Sequence, residues 1–370
     1  MGEIYTIPIE KLVPGLVLAE DIRHAQTGVV LIPSGTPIDE RHLARLKYFR
    51  HAGEEIKCMV PEPPGVADVS SPAIETGIKP LPLTVDETTR KIYIKAFETT
   101  KKFFSKYKNI EYADIQAIKA VAENISAQIV RNPAILSHVA ILKAIDSYTF
   151  SHSVNVAIYA AALAHFLGHS TAEINGICLA GLLHDIGKLD IPRKIVEKPG
   201  PLTEDEYKIM QKHALLGYLR LKKTPHINEN VLAAVSQHHE KIDGSGYYRG
   251  LKGDEIHPWA IILAVADVYD ALTTDRVYRT ALLPHEGAEI LMASCSLNHL
   301  EFNAVKFFTE KIPFYPPGTR VVLNTGEIGY IMAYHVNTPL RPIVNINREG
   351  KGSMIDLSRN HTVMITRIIR

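Results

Sequence analysis

The chain has 370 residues, with 41 Lys plus Arg against 40 Asp plus Glu, so its formal charge is +1 and there is no global pull toward nucleic acid or an anionic membrane. That length holds two or three domains and at least one sizeable core. The three cysteines, Cys58, Cys178 and Cys295, lie far apart, which suits reduced thiols in a cytoplasm and argues against a disulfide framework or a cysteine-based zinc knuckle.

The opening MGEIYTIPIEKLVPG has no apolar run of signal-peptide length. The stretches GLVLAEDI and GVVLIPSGTPI predict short strands, and DERHLARLKYF predicts a helix capped by Asp39, so residues 1–62 read as a small mixed α/β module. A Pro/Gly/Ser-rich stretch without period, residues 63–84, reads as a linker. From 85 to 145 apolar residues recur at three- and four-residue spacing, as in YADIQAIKAVAENISAQIV, and predict a helical connecting segment able to pack in a bundle or against a second copy in a homodimer.

Residues 146–314 read as a run of helices with short breaks. The first, SYTFSHSVNVAIYAAALAHFLG, ends at Gly168, and the second ends in GLLHDIGKLDIP. A third starts at LTEDEYKIM with a capping box from Thr203 and Glu206. NENVLAAVSQHHEK and WAIILAVADVYDALTT follow, separated by a glycine-rich loop over 242–258. The tail, 315–370, alternates and breaks at turn signals, predicting a β-rich extension. No apolar stretch reaches the ~18 uninterrupted residues of a membrane span, so a soluble, cytoplasmic chain is expected.

The polar residues that interrupt the apolar helical faces form a set: His152, His184 and Asp185, His213, His238 and His239, and Asp267, spread over successive helices. A lone buried histidine is an ordinary core residue bonded to a backbone carbonyl. Five of them with two carboxylates are harder to satisfy separately, because an unpaired buried polar group costs about 1–3 kcal/mol and an ionised carboxylate far more. Divalent metal resolves this. The nitrogen and oxygen donors suit Fe, Mn, Co, Ni or Zn. Adjacent helical residues point about 100° apart, so His184 and Asp185 can address two ions, and a pair of ions favours phosphoester hydrolysis.

HDIGK (184–188), HHE (238–240) and DGSGYYRGL (243–251), in order with YTFSHSVNVA, MQKHALLGY and VADVYDALTTDRVYR, resemble the HD-GYP domain, a family of bacterial cyclic di-GMP phosphodiesterases, over about 140–315. The resemblance implies a mainly α fold with an HD-type helical core. It implies two divalent metals, iron first, held by His152, His184, Asp185, His213, His238, His239 and Asp267, with Asp185 bridging and a bridging hydroxide as nucleophile. It also implies that Lys188 neutralises the phosphate and that Tyr247, Asp270, Arg276 and Arg279 contact substrate, giving pGpG or GMP.

Two departures from the family pattern stand out. Tyr148 replaces a glutamate that holds a third metal in some members, which favours two metals. Tyr248 replaces the family's proline, which bears on substrate clasping and on protein docking through the 242–258 loop. The partners expected are a cyclic dinucleotide and a protein at that loop, with no duplex nucleic acid. Hydrolysis of another cyclic dinucleotide such as cyclic GMP–AMP, and a non-catalytic receptor, are the competing readings.

Overall fold

The computed structural model describes residues 87–132, 148–274, 281–315, 318–335, 337–348 and 351–369, together with 136 and short stretches within 4–38, 55–59 and 78–80. The chain divides into two compact units, residues 1–73 and 74–369. In the first, β1 (Ile4–Pro8), β2 (Val17–Leu18), β3 (Ile22–Arg23), β4 (Val30–Ile32) and β5 (Glu55–Met59) form a three-stranded sheet, β1-β5-β2, and a β3–β4 pair. The helix expected over 39–49, with its Asp39 cap, lies outside the described residues.

The second unit is a helical body with a sheet packed into it. Helices α1 (Glu87–Ser105) and α2 (Tyr112–Arg131) bring an apolar stripe that includes Ile115, Ile118, Val121 and Ile125 against α3 (Tyr148–Phe166) and α4 (Thr171–Leu183). In α3, Val154, Val156 and Ala157 are fully buried, as is the whole run Ala160–Ala164. A helix apolar on all sides belongs at a centre, and α3 is contacted by α1, α2 and α4. Its small residues let neighbours approach closely. At Gly181 of α4, an added Cβ would fall 2.5 Å from the Ala157 Cα.

The chain then makes a 3-10 turn (Ile186–Asp190), a single helical turn α5 (Arg193–Val196), and α6 (Glu204–Lys222). The capping box read from Thr203 and Glu206 is present, with the Thr203 hydroxyl accepting the Glu206 N–H at 3.3 Å. Helices α7 (Glu229–Gln237), α8 (Pro258–Thr273), α9 (Pro284–Ser296) and α10 (Phe302–Lys311) complete the body. Pro258 begins α8, and the His257 imidazole caps it by accepting the Trp259 N–H at 3.2 Å.

The β-rich tail forms an antiparallel sheet of β7 (Arg320–Leu323), β8 (Ile328–His335), β9 (Ile343–Arg348), β10 (Lys351–Asp356) and β11 (Ile365–Ile369) in the order β10-β9-β8-β7-β11. Val321, Leu323, Ile331, Val344 and Ile365 join the same apolar cluster as the helices, so the sheet shares their core. Within the stretch expected to be a structureless linker, β6 (Ile78–Pro80) pairs with β8, Ile78 opposite His335. Three residues are too few to show a period of two, and the strand is specified by the β8 edge beside it. No helix among the described residues is long and apolar enough to cross a membrane.

The contact at Gly181 gives a direct check. Gly181→Ala would press a methyl group onto the Ala157 backbone, and overpacking of this kind costs about 1–3 kcal/mol. Denaturant unfolding is expected to show that loss, and an unchanged midpoint would contradict the close α3–α4 packing.

Candidate metal centre

His184 follows α4, His213 lies in α6 and His238 follows α7, and the three are oriented in the same way. Each donates its Nδ1–H to the carbonyl three residues earlier: His184 to Gly181 at 2.8 Å, His213 to Met210 at 2.8 Å, and His238 to Val235 at 2.7 Å. This bond selects the tautomer and leaves each Nε2 as a lone pair facing inward. The Nε2 atoms of His213 and His238 stand only 3.3 Å apart, and His184 Nε2 is buried without a hydrogen-bond partner.

Two buried carboxylates each span this group. Asp185 turns Oδ2 toward His184 Nε2 at 3.4 Å and His152 Nε2 at 3.7 Å, and Oδ1 toward His213 Nε2 at 3.6 Å. Asp267 turns Oδ1 toward His152 Nε2 at 3.1 Å and Oδ2 toward His239 Nδ1 at 3.8 Å. Asp185 Oδ1 accepts no hydrogen bond. The donors fall into two groups, His152–His184–Asp185 and His213–His238–His239, within each of which one ligand atom per residue lies within 4.8 Å of the others. Converging lone pairs, two anions and an orphaned acceptor are an arrangement that cations satisfy. The nitrogen and oxygen donor set fits a pair of divalent transition ions.

The adjacent turn is held by a glycine. A Cβ on Gly187 would meet the His213 carbonyl oxygen at 2.0 Å, so only glycine lets the 3-10 turn lie against α6 and bring Asp185 beside His213. Lys188, on that turn, donates to Asp185 Oδ2 at 2.6 Å and remains partly exposed. Tyr247 stacks on His239 with ring centroids 4.8 Å apart.

Asp270, which the family resemblance puts at the substrate, is fully buried and accepts the His152 Nδ1–H at 2.8 Å. It fixes the imidazole from behind, a role invisible in sequence because it depends on which ring nitrogen faces it. Arg276 and Arg279 lie outside the described residues, as do the side-chain surroundings of Tyr148.

Sequence reasoning missed Glu240. Buried, it accepts the Arg249 N–H at 2.6 Å and the Leu251 N–H at 3.0 Å, while Gln237 accepts the His257 N–H at 2.7 Å. The end of α7 thus sends His238 and His239 inward and ties down the glycine-rich loop with the residues flanking them. A signal was available: a carboxylate directly after two histidines that interrupt an apolar helix, beside a glycine-rich loop.

The electrostatics separate the imidazoles. Burial opposes protonation of His152, but its hydrogen bonds to Asp267 and Asp270 outweigh that and raise its pKa to about 9. Burial lowers His213 to about 4, aided by Lys188 and His184, and lowers His239 to about 3. It also holds His238 well below its ordinary value. Burial pushes Asp185 and Asp267 upward, yet the surrounding cationic and imidazole groups outweigh it and hold both well below the usual carboxylate range.

These directions set the pH dependence of the metal-free protein. His152 binds its proton more tightly when folded, so its contribution is present below the unfolded pKa of about 6.5 and is lost as pH rises toward about 9. His213 and His239 resist protonation when folded, so stability is lost as pH falls from about 6.5 toward their lowered values. Thermal unfolding in chelator is expected to show greatest stability near pH ~6.5, falling on both sides. A flat profile across that range would contradict the assignment.

Residues 131–299 match the family model described as HD domain, and residues 320–370 match the one described as KOW domain associated with HD domain. A cyclic di-GMP phosphodiesterase of Pseudomonas aeruginosa is 35% identical over 227 residues, covering 61% of this chain and 54% of the relative. A 3'3'-cGAMP-specific phosphodiesterase of Vibrio cholerae is 41% identical over 142 residues, covering 38% of this chain and 31% of the relative. The chain therefore spans about half the length of the first relative and less of the second. Among solved structures, an HDG"Y"P protein from Bdellovibrio bacteriovorus superposes with a TM-score of 0.53 at 18% identity, covering 83% of this chain and 98% of that one, a likeness of fold.

Proposed function

From the match of residues 131–299 to the HD domain model, we propose that the chain is a metal-dependent phosphodiesterase that hydrolyses cyclic di-GMP. The observation that carries this reading is the set of three imidazoles locked through Nδ1, with the Nε2 atoms of His184 and His213 at 3.4 and 3.6 Å from the two oxygens of Asp185 and that of His238 beside His213. A core evolved only for packing gains nothing from placing two Nε2 atoms 3.3 Å apart.

Two divalent ions, iron first and Mn, Co, Ni or Zn in its place, would be held by His152, His184 and Asp185 on one side and by His213, His238 and His239 on the other. Asp185 and Asp267 each offer one oxygen to each side. Such ions would supply Lewis-acid polarisation of the phosphodiester and would lower the pKa of a water nucleophile. The chain's own residues set the stage. Asp270 holds the His152 ring so that Nε2 faces inward, and loading the site displaces the His152 proton. Lys188 places a cation at the Asp185 edge, where it neutralises charge gathering on the phosphate oxygens. Tyr247 packs against the His239 ring.

With tyrosine at position 148, the account is a two-ion site giving pGpG or GMP. The relative from Vibrio cholerae, described as specific for 3'3'-cGAMP, supports cyclic GMP–AMP as the second substrate to test.

The test is hydrolysis by protein purified without oxygen, with metals counted on the same sample. Turnover of cyclic di-GMP is expected, and the double variant His184→Ala/Asp185→Ala is expected to lose it by roughly 10³-fold while staying helical. Turnover surviving in that variant would contradict the mechanism. Fully metallated wild type that leaves both cyclic dinucleotides intact would contradict the function.

A further inference from the structure

Aromatic rings lead outward from the cluster at rising exposure. His213 is buried, His239 partly exposed, and Tyr247 stands over both, 4.8 Å from the His239 ring and 6.3 Å from that of His213. Tyr207 comes next, edge-on to Tyr247 at 6.3 Å with an interplanar angle of 86°. It is 48% exposed, although it lies on the same helix as His213 and six residues before it, about 9 Å along the helix axis.

A single exposed tyrosine needs no explanation. This one continues an aromatic wall from the donor cluster to solvent, with an open ring surface at the end. Its electrostatic setting selects the ligand. Glu204, Asp205 and Glu206 precede it in the first turn of α6, with Asp205 3.8 Å from the Lys208 ammonium and Glu206 paired with Lys198. With these charges largely matched, the ring offers its face to a neutral heterocycle rather than a cationic seat to a phosphate. Stacking on an aromatic side chain is tolerant of base identity, because every base presents a π-face.

We propose that Tyr207 is a base-stacking residue of the substrate site: while a phosphodiester lies at the donor cluster, the attached nucleobase packs on the exposed face of the Tyr207 ring. This rests on the phosphodiesterase reading and adds to it the surface that takes the base. Tyr247 buttresses Tyr207 from the inner side, so the ring is placed before substrate arrives.

The test is steady-state kinetics on the full metal-loaded chain with cyclic di-GMP and cyclic GMP–AMP. Tyr207→Ala is expected to raise KM roughly 5- to 100-fold with a much smaller change in kcat and the same metal count per chain. Tyr207→Phe, which keeps the ring and removes the hydroxyl, is expected to rescue KM. An unchanged KM in Tyr207→Ala overturns the proposal, as does a Tyr207→Phe variant as impaired as the alanine. If the wild type hydrolyses neither dinucleotide, the phosphodiesterase reading fails, and titration calorimetry with the same two compounds decides the stacking. Binding weakened by Tyr207→Ala sustains it, and equal binding or none overturns it.

Discussion

Two aspartates and five histidines share one largely buried site, and much of the helical body is arranged to make that tolerable. A buried carboxylate is costly unless cations or donors surround it. Asp185 and Asp267 are met by imidazole nitrogens on both oxygens and, for Asp185, by the Lys188 ammonium. Part of the ring chemistry is fixed by the backbone: Gly181, Met210 and Val235 each take the outer N–H of a histidine three residues later. Helices α4, α6 and α7 thereby dictate which lone pairs face inward, with no further side chain needed. His152 uses a carboxylate instead, Asp270, and Asp267 and Asp270 together raise its pKa, opposite to the movement of His213, His238 and His239.

The fold serves this geometry by close approach. Alanines along α3 and Gly181 on α4 bring the helices carrying His152 and His184 together, and Gly187 seats the turn with Asp185 and Lys188 against α6. Glu240 and Gln237 hold the loop that carries Tyr247. Residues next to the inward-facing histidines therefore also shape the wall that a substrate would meet, so site and loop cannot vary independently.

Much of this was legible in the sequence because the key residues violate a pattern. Each of His152, His184, Asp185, His213, His238, His239 and Asp267 breaks an apolar helical face, and the structure gathers them in one place. Residues whose meaning depends on a partner's orientation were not legible. Asp270, three positions after Asp267, reads as another ligand-contacting acid until His152 Nδ1 is seen to occupy it. Glu240 is only the last letter of the HHE motif until the loop folds back onto it. β6 is too short to carry a period, and nothing in the tail's alternation told that its sheet would share a core with the helices.

The central claim is that the converging donors hold two metal ions. Anomalous diffraction from crystals of anaerobically purified protein, combined with a metal count on the same preparation, tests it most directly. The account predicts two ions per chain, one beside His152, His184 and Asp185 and the other beside His213, His238 and His239. A folded protein that takes up no transition metal at these residues when supplied with iron or manganese would contradict it.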